Sequence, residues 1–243
     1  MNYPDDFINK IIQCDCLEVM KDIPDKSIDL VLTDPPYGTT NNEWDNVVDF
    51  WSEVKRICKG GFIVFSSQPY TTNLINSNRK DFKYHWIWNK ALAGNGIIAK
   101  YQPLKIHEEI CIFGNVKYNP IMRKGKARIK NGIKDKHGTF SGAKSEQVFN
   151  DNYYPESILN FSGASMRIKR QHPTQKPVEL ISYLIKTYSN ENDIILDPFL
   201  GSGTTAVACK QLKRNFIGIE ISEKYCEIAA KRISLEARQG KLF

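Results

Sequence analysis

The sequence lacks both the long apolar runs of membrane proteins and the paired cysteines of disulfide-rich or zinc-binding domains. No run of about eighteen apolar residues occurs in its 243 residues, so we expect no membrane-spanning helix and no membrane partner. The six cysteines include no Cys-x-x-Cys pair, which argues against a zinc site and fits a reducing compartment. The opening residues have no basic start followed by an apolar core, so we expect a cytoplasmic protein rather than a secreted one.

Positive charge is in modest excess, and it is unevenly distributed along the chain. The formal net charge is +7. Residues 117–136 contain a single acid, Asp135, among these basic residues: Lys117, Arg123, Lys124, Lys126, Arg128, Lys130, Lys134 and Lys136. A second basic cluster comprises Arg167, Lys169, Arg170 and Lys176. Clustered positive charge is typical of proteins that bind a polyanion, although a solvated basic loop has the same composition.

Short apolar runs rich in β-branched and aromatic residues alternate with helical patterns along the chain. Runs bounded by Gly, Pro, Asn or Asp predict seven strands, at residues 10–14, 28–33, 61–66, 84–88, 109–113, 193–197 and 215–220. Apolar residues at three- and four-residue spacing predict helices within 47–57, 178–188 and 225–233. The alternation predicts an α/β fold with a doubly wound, mostly parallel, Rossmann-like sheet of seven strands.

The alternation of strands and helices breaks between about residues 115 and 165. This stretch is rich in Lys, Asn, Gly and Ser, with scattered aromatic residues. So long an interruption in a compact domain is typical of a functional insertion or of a disordered segment. We therefore divide the chain into a first half at 1–114, an insertion at 115–165 that faces a partner, and a second half at 166–243.

The segment Asp34-Pro35-Pro36-Tyr37 directly follows the predicted strand at 28–33. Each proline fixes its own φ and has no N–H, so the segment is stiff and its carbonyl groups are free to accept hydrogen bonds. A carboxylate, free carbonyl oxygens and a flat ring suit a planar ligand that carries an amino group, such as adenine or cytosine. Because Asp and Pro are also common turn residues, the same four residues could form a plain turn.

A second segment combines a buried strand, a glycine turn and a helix. Residues 193–197 lead into Gly201-Ser202-Gly203 and then into a helical pattern. Glycine lets a ligand approach the backbone closely, and the N-terminus of a helix attracts an anionic group. The turn departs from the Gly-x-Gly-x-x-Gly fingerprint, because residue 206 is Ala. The next strand ends in Glu220, whose carboxylate can bind both hydroxyls of a ribose, so we expect a nucleoside with an anionic tail.

These segments, in this order, resemble the motifs of the β group of amino DNA methyltransferases, which use S-adenosylmethionine. Asp34-Pro35-Pro36-Tyr37 is similar to the catalytic motif of that family, and Asp-Pro-Phe-Leu-Gly-Ser-Gly-Thr-Thr at 197–205 is similar to its cofactor loop. His-Pro-Thr-Gln-Lys-Pro at 172–177, Gly-Ile-Glu at 218–220 and Trp-Ile-Trp-Asn-Lys at 86–90 resemble further family motifs. The resemblance covers most of residues 10–235.

The resemblance implies a role for each matching residue. Asp34, Pro35, Pro36 and Tyr37 would be catalytic, with Asp34 and the Pro35 carbonyl holding the target amine and Tyr37 stacking on the base. The implied cofactor-binding residues are Asp15, Asp34, Thr174, Lys176, Asp197, Phe199, Gly201, Ser202, Gly203, Thr204, Thr205 and Glu220. No metal is expected. Residues 1–114 would be the catalytic half, 115–165 the target-recognition insertion and 166–243 the cofactor-binding half.

The implied reaction is methyl transfer from S-adenosylmethionine to the exocyclic N6 of adenine in double-stranded DNA, after the base is flipped out. The opening aspartate of the motif favours adenine, because serine is frequent there in enzymes that methylate N4 of cytosine. The N4-cytosine reading stays open, as do RNA or protein-amide methylation, a nicotinamide-dependent Rossmann oxidoreductase and a DNA-binding module with an inactive cofactor site. A homodimer and a partner restriction endonuclease are further expectations from the family.

Overall fold

The computed structural model describes residues 1–39, 45–94, 96–130, 148–162 and 175–239. Contacts between residues divide the chain into two compact units, Met1–Asn119 with Ser157–Phe243, and Pro120–Glu156. Within the described ranges, no helix has the length and apolarity needed to cross a membrane.

In the part of the chain that the structure describes, ten strands form two sheets. Their bounds are β1 Lys10–Gln13, β2 Ile28–Thr33, β3 Cys58–Ser66, β4 Phe82–Gly94, β5 Lys105–Gly114, β6 Arg123–Lys130, β7 Val148–Tyr153, β8 Ile158–Asn160, β9 Ile194–Asp197 and β10 Asn215–Glu220. The main sheet, in the first unit, has the strand order β1-β10-β9-β2-β3-β5-β4-β8. Only the pairings of β5 with β3 and β4 are antiparallel, so the predicted α/β class and mostly parallel sheet are confirmed.

The main sheet has eight strands rather than the predicted seven. The additional strand is β8, which pairs with β4 in parallel and lies in the stretch that the sequence pattern assigns to the insertion. It is only three residues long, and only its central Leu159 is buried. So short a strand leaves no apolar run in the sequence, which is why the pattern missed it.

The described residues form six α-helices, of which α1 to α5 lie between strands of the main sheet and α6 follows the last strand, and a short 3₁₀-helix at Gly96–Ile98 follows β4. The helices are α1 Cys16–Lys21, α2 Trp51–Ile57, α3 Tyr70–Ser77, α4 Val178–Tyr188, α5 Thr204–Gln211 and α6 Glu223–Gln239. The predicted helix at 47–57 begins later than expected, because the Asp49 side chain accepts the Trp51 N–H at 3.2 Å. Val47 stays outside the helix and is 61% exposed.

Helices cover both faces of the main sheet, and each face has its own buried apolar cluster. Val31 of β2 belongs to the cluster under α1, α2 and α3, whereas its neighbours Leu30 and Leu32 belong to the cluster under α4 and α5. Successive side chains of a strand point to opposite faces. A strand buried on both faces explains why 28–33 reads as a nearly continuous apolar run.

The strand order reverses at the centre of the main sheet, which positions the site. The chain runs from β2 to β3 in one direction, and from β9 to β10 in the other, with β2 and β9 adjacent. In open α/β sheets, ligands bind beyond the carboxyl ends of the strands at such a reversal. The segments after β2 and β9 are the two that the sequence pattern identified.

The second unit contains an antiparallel hairpin of β6 and β7. Its described charges include ion pairs from Lys124 to Asp151 at 3.0 Å and from Arg123 to Glu156 at 2.5 Å. Part of the predicted basic surface, namely Lys134, Lys136, Arg167, Lys169 and Arg170, lies outside the described residues.

Candidate active site

A cavity of about 460 Å³ opens at the carboxyl edge of the main sheet, beside the ends of β1, β2, β9 and β10. It brings together most of the sequence-predicted site residues. The predicted residues that line it are Asp15, Asp34, Pro36, Lys176, Asp197, Phe199, Gly201, Ser202, Thr204, Thr205 and Glu220. Pro35, Tyr37 and Gly203 are not among its lining residues, and Thr174 lies outside the described residues.

Two hydrogen-bond donors hold Asp34 at the carboxyl end of β2. The Lys176 ammonium donates to Oδ2 at 2.5 Å, and the Tyr37 hydroxyl donates to Oδ1 at 2.6 Å. Burial raises the pKa of Asp34 above its ordinary value; the Lys176 charge opposes this shift and the Glu108 charge adds to it. Each carboxylate oxygen of Asp34 therefore already accepts one hydrogen bond, from an N–H group or from an O–H group.

Asp45 fixes the backbone that follows the two prolines. Its carboxylate accepts the N–H groups of Tyr37 at 2.6 Å, Gly38 at 2.9 Å and Thr39 at 2.9 Å. The Tyr37 ring stacks on Tyr70, with ring centroids 5.1 Å apart and planes 22° apart. Sequence reasoning missed Asp45 and Tyr70, because neither belongs to the motif.

Among the described residues, the donors that hold Asp197 at the end of β9 are uncharged. Thr33 Oγ1 donates to Oδ1 at 3.0 Å from the adjacent strand, and Thr205 Oγ1 donates to Oδ2 at 2.6 Å. The Phe199 N–H donates to Oδ1 at 3.2 Å. Burial raises the pKa of Asp197 to about 7, against the effect of these hydrogen bonds. Asp197 therefore ties the β2 segment to the glycine turn.

Glu220 shapes the glycine turn from the end of β10. Its carboxylate accepts the N–H groups of Gly201 at 2.8 Å and Ser222 at 2.9 Å. Gly201 has φ +55°, a left-handed conformation that favours glycine. Glu220 is thus fixed by the turn and also lines the cavity.

Gly203 meets a neighbouring helix rather than the cavity. It has φ +82°, and a Cβ at this position would lie 2.7 Å from Ala229 Cβ on α6. Arg232 of the same helix donates to the Ser202 carbonyl at 2.6 Å and to Thr204 Oγ1 at 3.1 Å. Helix α6 therefore supports the turn from behind.

Asp15 both caps a helix and lines the cavity. Its side chain accepts the Leu17 N–H at 2.7 Å at the N-terminus of α1, a common use of aspartate. Sequence reasoning left open a turn residue or a cofactor contact, and the structure supplies the first while keeping the side chain beside the cavity.

Glu108 joins the site without having been predicted, whereas Lys90 belongs to the segment 86–90 that resembles a family motif. Lys176 Nζ lies 3.3 Å from Glu108 Oε2, and Lys90 Nζ lies 3.0 Å from Glu108 Oε1. The available signal was the pair Glu108-Glu109, which directly precedes the fully buried run at 110–113. Buried acids are uncommon unless they are paired or functional.

The donor and acceptor groups around the cavity fit S-adenosylmethionine. Its volume lies in the range of small-ligand sites, and Phe199 gives it an apolar wall. The Glu220 carboxylate suits ribose hydroxyls, and the N-terminus of α5 suits a carboxylate group. The Asp34 carboxylate suits the neighbourhood of a positively charged sulfonium.

Comparisons with known proteins agree with this fit. The N6/N4 methyltransferase family, described as DNA methylase, matches residues 28–231. The chain is 32% identical to the Type II methyltransferase M.HinfI of Haemophilus influenzae, over 94% of this chain and 69% of the relative. It is 28% identical to the DNA adenine methyltransferase YhdJ of Escherichia coli (strain K12), over 93% of this chain and 82% of the relative.

Solved structures of methyltransferases also match this chain. The M1.HpyAVI–SAM complex matches with a TM-score of 0.63 and 27% identity, over 92% of this chain and 98% of that chain. PvuII DNA methyltransferase (cytosine-N4-specific) matches with a TM-score of 0.65, over 92% of this chain and 85% of that chain. At 19% identity, the second match shows the fold alone.

The family match spans most of the chain, and it includes both the segment after β2 and the glycine turn after β9. S-adenosylmethionine is accordingly the cofactor of this enzyme. The chain belongs to the N6/N4 family of DNA methylases.

Proposed function

We propose that this enzyme methylates the exocyclic N6 of adenine in double-stranded DNA. The observation that carries the proposal is the position of Asp34, which lines the same cavity as the glycine turn. A base amine that reaches Asp34 would therefore lie beside the bound cofactor. The relative YhdJ is named a DNA adenine methyltransferase, and this name and the opening aspartate of the motif both support adenine.

Asp34 would orient the target amine. The lone pair of an exocyclic amine is delocalised into the ring, so the amine is a poor nucleophile until its hydrogens are held. Asp34 would accept one N–H and the Pro35 carbonyl the other, which turns the lone pair toward the methyl group. Lys176 and Tyr37 hold Asp34 in place before the base arrives, and such preorganisation is a large part of enzyme catalysis.

Bound S-adenosylmethionine supplies a methyl group on a positively charged sulfur. Glu220 would bind the ribose hydroxyls, and Asp15 and Phe199 would lie near the adenine. Lys176 and Thr174 would lie near the methionine part. Tyr37 would receive the flipped base on the ring face that Tyr70 does not cover.

The DNA has to be held while the base is out of the helix. The target amine is inaccessible in a duplex, so the base is expected to flip into the cavity. We assign residues 115–165 to target recognition, because their Lys and Arg side chains suit phosphates and base edges. Affinity should then fall as salt rises, because bound phosphates release counterions.

The test identifies the methylated nucleoside. DNA amplified in vitro, and therefore unmethylated, is incubated with the enzyme and S-adenosylmethionine labelled in the methyl group, then digested to nucleosides and separated. Label in N6-methyl-2′-deoxyadenosine is the expected result. Label in N4-methyl-2′-deoxycytidine would overturn the adenine assignment, in line with the cytosine-specific protein that shares the fold.

We also propose that the enzyme protects DNA against a partner restriction endonuclease, because relatives such as M.HinfI and M.HpaI are named Type II methyltransferases. Single-molecule sequencing of DNA from expressing cells gives the modified sequence. Endonucleases specific for that sequence should then fail to cut the DNA. The homodimer and the cytoplasmic location stay predictions, and light scattering checks the first.

A further inference from the structure

Four side chains of alternating charge run from the edge of β4 to the catalytic segment. Lys90 Nζ lies 3.0 Å from Glu108 Oε1, Lys176 Nζ lies 3.3 Å from Glu108 Oε2, and Lys176 Nζ lies 2.5 Å from Asp34 Oδ2. Lys176 therefore lies between two carboxylates and is closer to Asp34.

The oxygen of Glu108 that faces Lys176 is able to accept a hydrogen bond. Glu108 Oε2 is buried and accepts no hydrogen bond from any described residue, whereas Oε1 accepts one from Lys90. A buried carboxylate oxygen without a hydrogen bond is costly. It becomes useful if the Lys176 ammonium turns toward it during the reaction.

Lys176 has little freedom to leave the site. Its side chain is only 9% exposed, and its ammonium lies 5.1 Å from the centre of the Phe65 ring, a contact that attracts a cation. An ammonium displaced from Asp34 would lose solvation unless another anion received it. Glu108 is the carboxylate already within 3.3 Å.

The proposed amine contact brings a new donor to the oxygens that Lys176 and Tyr37 already occupy. We propose that Glu108 is a positioning residue, which receives the Lys176 ammonium when the target amine docks on Asp34. One donor then replaces another on Asp34, while Lys176 keeps a carboxylate partner. This inference rests on the proposed role of Asp34 in holding the amine.

The charge states support such an exchange. Burial lowers the pKa of Lys176, but the Asp34 and Glu108 carboxylates together raise it above its ordinary value. Burial raises the pKa of Glu108, but Lys176 and Lys90 together bring it below its ordinary value. Lys176 is therefore charged and Glu108 ionised at neutral pH, so the ammonium can move between two carboxylates without a proton transfer.

The test replaces Glu108 with its neutral isostere, Glu108→Gln. Lys176 then keeps only one carboxylate, Asp34, and the amine has to displace it without a second anion. We expect kcat on amplified DNA to fall roughly tenfold to a hundredfold, as for other losses of positioning. The Kd for S-adenosylmethionine, measured by calorimetry, should stay within about threefold.

The matched control is Glu109→Gln, the same change at the next residue of β5. Glu109 is buried and accepts a hydrogen bond from Thr71 at 3.2 Å, which glutamine can also accept. Glu109→Gln should keep kcat near the wild-type value. Equal kcat losses in the two variants would overturn the proposal, because they would reflect the loss of any buried acid in this strand.

A second readout needs no turnover. Carbon-13 NMR of labelled aspartate carboxyls follows the titration of Asp34 in the free protein, and Asp34→Asn assigns the signal. Glu108→Gln should lower the pKa of Asp34, since it removes a neighbouring negative charge and leaves Lys176 to Asp34 alone. An unchanged Asp34 pKa would overturn the proposal.

The two proposals fail in different ways. A wild-type enzyme that labels cytosine would refute the adenine assignment, but the Glu108 comparison would hold as before because both bases present an amine to Asp34. If the wild type labelled no DNA, the proposed function would fail, and the Asp34 titration would still decide whether Glu108 controls the pairing of Lys176.

Discussion

Two aspartates at the ends of adjacent strands are held in opposite ways. Asp34, after β2, is paired with the Lys176 ammonium. Asp197, after β9, is held by two threonine hydroxyls and one backbone N–H. Burial raises the pKa of both. The Lys176 charge opposes the rise in the pKa of Asp34, and Asp34 is the acceptor that we propose exchanges its donor. Asp197 has hydrogen bonds to neutral groups that belong to the fold.

The largest effect should come from removing the exchangeable acceptor. Asp34→Ala leaves the target amine without its carboxylate, so turnover should fall about a thousandfold or more. The Kd for S-adenosylmethionine should change by less than about tenfold, since most of the cavity is intact. The measurements are methyl incorporation into DNA and calorimetry.

The surface variant Asp5→Ala is the control for this loss, since Asp5 is exposed. Turnover by Asp34→Ala at the wild-type rate would remove Asp34 from the mechanism and, with it, the contrast between the two aspartates.

A smaller effect is expected at the glycine turn, where a carboxylate both shapes the backbone and faces the cavity. Glu220→Ala removes the carboxylate that accepts the N–H groups of Gly201 and Ser222. The same carboxylate is the one that we propose binds the ribose hydroxyls. A charge-assisted hydrogen bond contributes about 1.5–3 kcal/mol, so we expect a cofactor Kd about tenfold to a hundredfold weaker. Calorimetry measures it.

Glu223→Ala is the matched control, because Glu223 is exposed on α6. If both variants bound the cofactor as tightly as the wild type, Glu220 would serve the turn alone.

The pH dependence of stability tests how Asp197 differs from Asp34. The pKa of Asp197 is raised to about 7 in the folded protein, so this residue favours folding at pH below about 4 and loses that contribution as pH rises toward 7. Asp197→Asn carries no charge to bury. As pH rises from about 4 to 7, the free energy of unfolding of Asp197→Asn should increase relative to that of the wild type, on the order of 1 kcal/mol per pH unit.

Chemical unfolding of both proteins at several pH values measures this difference. A constant difference in unfolding free energy across the range would mean that Asp197 does not titrate as its surroundings require.

The smallest effect concerns DNA binding away from the cavity. Lys126 is exposed on β6 of the second unit, and it belongs to the stretch proposed to bind phosphates. Lys126→Ala should lower the slope of log K against log salt by about one, with no change in the methylated base. Lys231→Ala, exposed on α6, should leave the slope unchanged. Fluorescence anisotropy at several salt concentrations measures both.

The sequence predicted the seven strands that carry apolar runs, because burial on both faces of a central sheet leaves a continuous signal. It missed β6, β7 and β8, all in the stretch assigned to the insertion, and β8 is too short to leave an apolar run. It also began α2 too early, since the Asp49 side chain binds the Trp51 N–H just before the helix. Most residues predicted for the cofactor line the cavity. Gly203 instead allows the close approach of α6, a packing reason that a motif does not reveal.

The sequence by itself determined the chemistry available here: a stiff Asp-Pro-Pro-Tyr segment after one buried strand and a glycine turn after another. Local patterns suffice for this, because proline, glycine and apolar spacing act on nearby backbone. Only the tertiary structure decided which charges meet. Lys176 reaches Asp34 across 142 residues of chain, and Glu108 approaches the same ammonium from a strand that carries no catalytic motif. Those pairings depend on strand order, which brings together the ends of strands distant in sequence.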